Sequence, residues 1–437
     1  MKQQTISRLE VFPPSAAINE QRHLAIGGCD VPALAAKYGT PLYIYDEQGI
    51  RDRCRELRQE FISRYPATRV LYACKAFTCL AMLKLVAEEG LGLDVVSGGE
   101  LAYAQAAGFP MERISFAGNN KSARELEMAR DLGIGLVVVD NLYELEMLGD
   151  ITAKRPVNIL LRLSPGIDPH THRYNTTGTV DSKFGLPRAQ WDEAVTTALA
   201  VEGINLLGLH FHLGSNLHEV EPYLEAIEVV LKYAAEVREQ FAFDMRVLSV
   251  GGGFGVRYLV NEQPPGIGVF AGAITERLKE GCRALRLPAP ELIIEPGRAV
   301  VAQYGTGVYT VGAIKKIPRI RTYVSVDGGM GDNIRQPLYG FVQEALLANR
   351  PADVATKKVT IAGKYCESGD ILIKETTLPE PRPGDILAMA GSGAYALSMA
   401  SNYNGNYRPP VVFVKDGKDR LVQRRETIED LIRRDIA

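Results

Sequence analysis

The sequence predicts an α/β protein in which a (β/α)8 TIM-like barrel is joined to an all-β domain. Three observations support this fold class. Eight short apolar runs alternate with segments of helical spacing between residues 70 and 295, and past about residue 300 the pattern changes to alternating apolar and polar residues. The length of 437 residues is enough for two or three domains, each with its own core.

The eight apolar runs have the length of buried parallel strands. They are 70–74, 92–96, 114–117, 135–139, 157–163, 205–212, 246–250 and 291–295. Segments such as 121–132 and 219–238 lie between them and carry apolar residues at helical spacing. A closed barrel accounts for this alternation, and a doubly wound open sheet is the alternative.

The C-terminal part carries the signals of an all-β domain, either a barrel or a sandwich. Its strand-like runs are VYTVGAIKKI, RTYVSVDGG, KKVTIAGKY and PPVVFVKDG. The first 40 residues are rich in turns and too few to form a domain of their own, so we expect them to add strands to this domain. The predicted boundaries are therefore 1–40 for these strands, 41–300 for the barrel and 301–437 for the β domain.

Composition excludes several classes of partner. The chain has 50 Lys and Arg against 52 Asp and Glu, so no basic field indicates nucleic acid. No stretch approaches the roughly 18 apolar residues that span a bilayer, and no signal peptide is seen. The six cysteines form no CxxC pair, which predicts reduced thiols and a cytoplasmic location. The expected partner is a small molecule.

Lys75 stands in the run LYACKAF, directly after the first predicted strand. A barrel places its functional residues at such strand ends. A lysine with a packed stem and a solvated ammonium is the ordinary alternative. A desolvated lysine has a lowered pKa and can form a Schiff base with an aldehyde cofactor, for which pyridoxal phosphate is the candidate.

That cofactor needs a phosphate cradle, and SVGGGFG offers one after a predicted strand. Its bare residues are Gly251, Gly252 and Gly253. Ser215 could add a hydroxyl, and EPGR, residues 295–298, could add a glycine N–H. Glu295 could face the pyridine nitrogen and keep the ring protonated, although a strand-end salt bridge is equally open.

His210 and His212 are two residues apart on a predicted strand, so they should face the same way. This raises a second hypothesis, a metal-dependent hydrolase that would recruit Asp94 or Glu295. The cofactor hypothesis instead needs no metal and stacks His212 flat on the pyridine ring.

Nine motifs, in order over about residues 40 to 410, resemble those of the fold-type III pyridoxal-phosphate-dependent decarboxylases. They are YACKAF, GLDVVSGGEL, LRLSPGIDPHTHRYNTTGTVDSKFG, GLHFHLGS, VGGGFG, EPGR, DGGMGDNIRQPLYG, YCESGD and GSGAYALSMASNYNGNYRP. Nine spaced motifs are far more specific than any one of them. The resemblance also implies a pyridoxal-binding barrel with a β domain.

The resemblance implies a role for each matching residue. Lys75 would carry the cofactor, His212 would stack on its ring and Glu295 would pair with the ring nitrogen. The phosphate would be held by Ser215, Gly253, Gly297 and Tyr395. The remaining cofactor-binding residues would be Gly251, Gly252, Asp94, Glu100, Arg162 and Arg298.

The resemblance also implies a substrate with two charged ends. Cys366 would be the proton donor, reaching the site from the second subunit of a homodimer with shared active sites. The substrate's distal carboxylate would meet Arg298, Arg335, Tyr339 and Tyr395, and its distal ammonium would meet Glu367. A diacid suits two guanidinium groups.

The expected reaction is therefore decarboxylation of meso-2,6-diaminopimelate to L-lysine and CO2, the last step of lysine biosynthesis. Several alternatives stay open. They are decarboxylation of ornithine, lysine or arginine, of carboxynorspermidine or of a carrier-bound aminoacyl substrate, and a non-catalytic regulator that binds pyridoxal phosphate.

Overall fold

The computed structural model describes residues 8–152, 155–168 and 181–436. Within them the chain divides into two compact units. The β unit comprises residues up to 52, 256–263 and 300 onward, and the barrel unit comprises residues 53–255 and 264–299. This division differs from the predicted boundaries, because residues 41–52 and 256–263 group with the β unit rather than with the barrel.

The N-terminal strands are short. β1 (Ala17–Ile18), β2 (Leu24–Ile26) and β3 (Cys29–Asp30) form a small antiparallel sheet. β4 (Leu42–Asp46) is wholly buried and pairs with two later strands of the β unit.

Eight parallel strands close into a barrel, which confirms the predicted fold class and makes the open-sheet alternative wrong. They are β5 (Thr68–Ala73), β6 (Gly92–Val95), β7 (Ile114–Phe116), β8 (Leu136–Val139), β9 (Val157–Arg162), β10 (Ile204–His210), β11 (Val247–Ser249) and β12 (Glu291–Ile294). Each lies within two residues of a predicted run. The strands' inner side chains pack together, as in the cluster of Leu71, Leu136, Leu160, Val247 and Ile293.

Helices follow the barrel strands in chain order, which is the βα alternation that the sequence predicts. They are Leu80–Glu88, Gly98–Ala107, Ala123–Leu132, Leu142–Thr152, Trp191–Ala200, Glu221–Phe241 and Ile267–Ala284. Local signals fix their ends. Ser122 and Glu125 form a reciprocal capping box, and Gly133 ends the same helix in the left-handed conformation.

The β unit is built on a mainly antiparallel sheet of nine strands. Its C-terminal strands are β13 (Gly305–Ile317), β14 (Arg321–Val326), β15 (Ala345–Leu347), β16 (Lys357–Ala362), β17 (Ile371–Leu378), β18 (Ile386–Met389), β19 (Val411–Lys415) and β20 (Lys418–Gln423). Shorter helices lie at Val31–Tyr38, Arg335–Tyr339 and Ile428–Ile432, and the helices Glu47–Ile62 and Arg298–Val301 each have residues in both units.

The strand order in the main path is β17-β16-β14-β13-β4-β19-β20, with β15 and β18 paired beside β13. Alternate residues of these strands form an apolar core that includes Val311, Val324, Ile361 and Leu387. No helix in the described part of the chain has both the length and the apolarity needed to cross a membrane.

Candidate active site

Polar and charged side chains meet at the carboxyl ends of the barrel strands. Lys75 lies in a short turn directly after β5, Asp94 is in β6, Arg162 ends β9 and Glu295 directly follows β12. Because all strands run parallel, these ends open on one face of the barrel. The sequence-based placement of the site at strand ends is thus what the barrel shows for these four residues.

Lys75 is exposed, whereas its neighbours Cys74 and Ala76 are fully buried. The turn that carries it is fixed by hydrogen bonds from Tyr72 Oη to the carbonyl of Phe77, at 2.7 Å, and from the Thr78 hydroxyl to the carbonyl of Cys74, at 2.6 Å. The protein atoms of the described chain do not bury Lys75, and desolvation of its amine stays a prediction. The apolar run buries the turn around Lys75 and leaves the lysine residue exposed, and a covalent bond to a cofactor requires a side chain that the cofactor can reach.

Glu295 is buried and holds two partners. Its Oε2 lies 3.1 Å from Nε2 of His210, and its Oε1 accepts a hydrogen bond from the Ser249 hydroxyl at 2.7 Å. Burial by itself raises the pKa of Glu295, but the charge and hydrogen bond of His210 and the bond from Ser249 outweigh it and lower the pKa to about 2. The carboxylate therefore stays ionised at neutral pH.

Asp94 has the opposite electrostatic balance. Burial, and then the negative charge of Glu295, raise its pKa well above the usual value, while Lys75 and Arg162 oppose them. Its Oδ1 is buried and accepts no hydrogen bond from any described residue. A buried polar atom of this kind suits a bound polar or cationic group.

Arg162 and Glu100 are two further charged residues near the strand ends. Arg162 is buried, and burial lowers its pKa, although the carboxylates of Asp140, Glu295 and Asp94 oppose that effect. Glu100 accepts a hydrogen bond from the backbone N–H of Val96 at 2.7 Å, and burial raises its pKa.

His212 is half-buried and accepts a hydrogen bond at Nδ1 from the backbone N–H of Gly252, at 3.3 Å. Burial and the positive charges of Lys75 and Arg162 hold the pKa of His212 well below its usual value. The imidazole is therefore neutral at physiological pH, and a neutral ring can stack on a flat aromatic group.

The prediction that His210 and His212 share one strand is wrong. β10 ends at His210, which faces Glu295, whereas His212 lies beyond the strand and faces the glycine loop. Among the residues described, no group of three or more His, Cys, Asp and Glu side chains could hold a metal ion. His170 and His172, with the rest of 169–180, lie outside the described residues.

The glycine loop after β11 has no room for side chains. Gly251 and Gly253 have φ angles of +70° and +104°, and a Cβ on Gly252 would lie 2.0 Å from the carbonyl oxygen of Glu295. A Cβ on Gly253 would lie 2.3 Å from the carbonyl oxygen of Gly214. A bare backbone of this kind fits a phosphate cradle.

Ser215 and Gly297 lie in the same unit as this loop. The Ser215 hydroxyl accepts a hydrogen bond from Nε of Arg298 at 3.0 Å, and Arg298 is itself buried. A Cβ on Gly297 would lie 3.0 Å from Cβ of Ala73, at the end of β5. A serine hydroxyl, an arginine and bare glycines are the donor types that bind a phosphate group.

Five predicted site residues belong to the β unit: Arg335, Tyr339, Cys366, Glu367 and Tyr395. Arg335 is buried, donates from Nη1 to the carbonyl of Gly391 at 2.8 Å, and lies 3.8 Å from the ring centroid of Phe341. Cys366 and Glu367 are exposed, and Tyr395 has a left-handed φ of +57°. Tyr339 donates to Sδ of Met399 at 4.0 Å.

Sequence reasoning missed four residues of the barrel's polar network, namely Lys121, Asp140, Glu144 and Ser249. Asp140 pairs with Arg162 at 3.3 Å and Ser249 with Glu295, and both stand at the end of a barrel strand. The strand-end rule could have found these two. Lys121 lies five residues beyond β7 and has no such signal.

The closed barrel, the accessible strand-end lysine and the glycine loop define an α/β-barrel enzyme that binds a phosphorylated aldehyde cofactor. The family model for the pyridoxal-binding domain of pyridoxal-dependent decarboxylases matches residues 47–302. The chain belongs to this family of pyridoxal-dependent decarboxylases, and pyridoxal phosphate is its cofactor. The predicted family and cofactor are confirmed.

Individual relatives agree with this assignment. The chain is 49% identical to the diaminopimelate decarboxylase of Bacillus subtilis over 96% of both chains, and 43% identical to that of Synechocystis over 97% of this chain and 92% of the relative. The crystal structure of diaminopimelate decarboxylase from M. jannaschii superposes with a TM-score of 0.90 at 33% identity, covering 97% of this chain and 98% of the other. Family membership favours the cofactor hypothesis over the metal-dependent hydrolase.

Proposed function

We propose that this enzyme decarboxylates meso-2,6-diaminopimelate to L-lysine and CO2, the last step of lysine biosynthesis. The near full-length likeness to curated diaminopimelate decarboxylases supports the substrate. The single structural observation that supports the chemistry is Glu295, a buried carboxylate that stays ionised at the barrel's strand ends.

Pyridoxal phosphate, when bound, supplies an electron sink that stabilises the negative charge left on the substrate's α-carbon as CO2 departs. Lys75 would hold the cofactor covalently through its side-chain amine. Glu295 holds a proton at the pyridine nitrogen, because an anion beside that atom favours its protonated form. His212 is neutral and offers a flat face for the ring.

The remaining barrel residues bind and orient. The phosphate would be held by Gly251, Gly252, Gly253, Ser215 and Gly297, with Tyr395 and Arg298 as further ligands. Asp94, Glu100 and Arg162 would be supporting residues around the cofactor. Asp94 Oδ1 can accept a hydrogen bond from the bound group, which would satisfy an oxygen that no described residue satisfies.

Selectivity would lie at the distal end of the substrate. Arg298, Arg335 and Tyr339, with Tyr395, would bind the distal carboxylate, and Glu367 would bind the distal ammonium. The guanidinium of Arg335 is held in place by Gly391 and Phe341, so little conformational freedom is lost when it binds a carboxylate. Ornithine, lysine and arginine bring no distal carboxylate, so they would make no charge-assisted contact with these guanidinium groups.

The enzyme would act as a homodimer in which Cys366 of one subunit returns a proton to the α-carbon at the partner's barrel. It would work in the cytoplasm, which agrees with six cysteines that form no disulfide and five of which are buried. Lys75 and Cys366 are both present, which argues against a non-catalytic regulator.

The test is CO2 release from meso-2,6-diaminopimelate, compared with L-lysine, L-ornithine and L-arginine under the same conditions. The proposal expects release from diaminopimelate alone, lost in the Lys75→Ala variant. Carboxynorspermidine should be included, because it also bears a similar amine. Faster release from any other substrate would overturn the assignment.

A further inference from the structure

A series of buried ionic contacts leads to Arg162, one of the charged residues at the barrel's strand ends. It begins at Lys121 and Glu144, whose side chains are each 1% exposed and whose Nζ and Oε1 are 2.6 Å apart. The same Nζ donates to the carbonyls of Gly118 and Val138, both at 2.8 Å. The ammonium thus has one ionic partner and two carbonyl acceptors, which together hold its position.

Glu144 also makes hydrogen bonds with residues that directly follow β8. Its Oε2 accepts a hydrogen bond from the backbone N–H of Asp140 at 3.0 Å. The backbone N–H of Glu144 in turn donates to Oδ1 of Asn141 at 3.0 Å. The pair therefore fixes the backbone from which the side chain of Asp140 projects.

Asp140 is buried, with a hydrogen bond at one oxygen and an ion-pair contact at the other. Oδ2 accepts a hydrogen bond from the backbone N–H of Gly185 at 2.8 Å, and Oδ1 lies 3.3 Å from Nη1 of Arg162. The guanidinium carbon of Arg162 lies 4.6 Å from the ring centroid of Phe184. Asp140 and Phe184 together limit the positions that the guanidinium can take.

The other carboxylates that act on Arg162 are Glu295 and Asp94, at the ends of β12 and β6. We propose that Asp140 is a positioning residue, held by the Lys121–Glu144 pair, that keeps Arg162 in place beside Asp94 and Glu295 and so supports cofactor binding. Without Asp140, the guanidinium would be drawn toward the two carboxylates that serve the cofactor. This inference rests on the proposed roles of Arg162, Asp94 and Glu295.

A purely structural role is the alternative, because the same contacts join the ends of β7, β8 and β9. Cofactor affinity distinguishes the two. Full-length chain stripped of cofactor is titrated with pyridoxal 5′-phosphate, followed by absorbance, and its unfolding midpoint in urea is measured in parallel. No decarboxylation is needed, so failure of the proposed substrate would leave this test intact.

Three comparisons make the test specific. Asp140→Asn keeps the shape and removes the charge that faces Arg162. Glu144→Gln and Glu144→Leu both remove the charge that pairs with Lys121, but only glutamine keeps a side-chain oxygen that can accept a hydrogen bond from the Asp140 N–H. Glu291→Gln is the matched control, because it breaks an ion pair with Arg69 at the opposite ends of the barrel strands.

Asp140→Asn should raise the dissociation constant of pyridoxal phosphate about tenfold or more, as loss of outer-shell partners does at metal sites. Glu144→Leu should weaken binding several times more than Glu144→Gln, and Glu291→Gln should leave it unchanged. Native affinity in Asp140→Asn would overturn the proposal. So would losses that follow the unfolding midpoint in all variants, the control included. If Asp140→Asn does not fold, equal affinity of the two Glu144 variants overturns it.

Discussion

Glu295 and His210 face each other inside the barrel, with Oε2 of the carboxylate 3.1 Å from Nε2 of the imidazole. Both side chains are almost fully buried, and Ser249 donates to the second oxygen of the carboxylate. The contacts with His210 and Ser249, rather than exposure to water, keep this carboxylate ionised. The same carboxylate is the group that we propose holds the cofactor's ring nitrogen protonated.

Glu295→Gln should lower kcat by roughly 10- to 100-fold, because a charge-assisted hydrogen bond to the ring nitrogen is worth about 1.5–3 kcal/mol. Ser249→Ala is the control, since it removes one hydrogen bond to the carboxylate and leaves the charge. Its effect on kcat should be much smaller. The measurement is CO2 release at saturating diaminopimelate, and an unchanged kcat in Glu295→Gln would remove this residue from the ring nitrogen.

Lys75 should be the site of covalent cofactor attachment. Purified protein should be yellow, and borohydride reduction should fix the pyridoxyl group to the peptide that contains Lys75, because its amine is accessible at a strand end. Lys121, which is buried and ion-paired, serves as the internal comparison and should carry no label. A label on any lysine other than Lys75 would contradict the assignment.

Much of the barrel could be predicted from the sequence, because buried parallel strands appear there as short apolar runs. All eight barrel strands lie within two residues of such a run, and the candidate residues Lys75 and Glu295 could be predicted from their place at the end of one, whereas the cofactor role of Asp94 rests on the family resemblance. The partner of a strand is not encoded in this way. β4 reads as one more apolar run, yet it pairs with β13 and β19 in the β unit.

Periodicity also could not predict side-chain pairs between residues that are far apart in the sequence. Lys121 and Glu144 are charged residues in segments that read as ordinary polar helix starts, and only the packing of neighbouring βα units buries them together. For His210 and His212, spacing suggested a shared direction. The strand ends between them, so alternation no longer applies to the second histidine.

Asp332 should make the β unit more stable at mildly acidic pH. Burial raises its pKa from 3.8 to about 6, although hydrogen bonds from Tyr309, Gly329 and Tyr43 oppose that shift. A raised carboxyl pKa adds stability that is complete below the unfolded value and is lost as pH rises through the folded value. The native chain's advantage over Asp332→Asn should therefore fall between pH 4 and pH 6, by up to about 3 kcal/mol.

Asp385→Asn is a control of opposite sign. Burial by itself would raise the pKa of Asp385, but hydrogen bonds from Arg350, Asn349 and the backbone of Arg382 lower it instead. Its contribution to stability is present above the ordinary carboxyl pKa and is lost as pH falls through the lower folded value. Urea midpoints measured across pH 3 to 7 check both slopes, and parallel slopes for the two variants would contradict the assignment of Asp332.

Arg335→Ala should lower kcat/KM for diaminopimelate by roughly 2–3 kcal/mol, since a desolvated carboxylate would lose a charge-assisted partner. Arg335 is also buried against Phe341, so part of any loss could come from packing. Arg335→Met keeps most of that contact and should lose activity to a similar extent. L-lysine should not become a good substrate of either variant, and an unchanged kcat/KM in Arg335→Met would exclude Arg335 from the substrate site.

Cys366 is exposed on the β unit, on a loop fixed by a hydrogen bond from its own backbone N–H to Oδ1 of Asn404 at 2.8 Å. If it serves the barrel of a second subunit, chains with Lys75→Ala and chains with Cys366→Ala are impaired for different reasons. In a mixed dimer, one site then has both defects and the other has neither.

Random exchange between equal amounts of the two variants makes half of the dimers mixed, so about a quarter of all sites should be intact. Activity should rise well above that of either variant alone. If each site came from a single chain, every site in the mixture would keep one defect, because no chain carries both an intact lysine and an intact cysteine. Subunit exchange is first shown by mass spectrometry, and activity that then stays flat would reject shared sites. A protein that forms no dimer in solution would reject them without the mixing experiment.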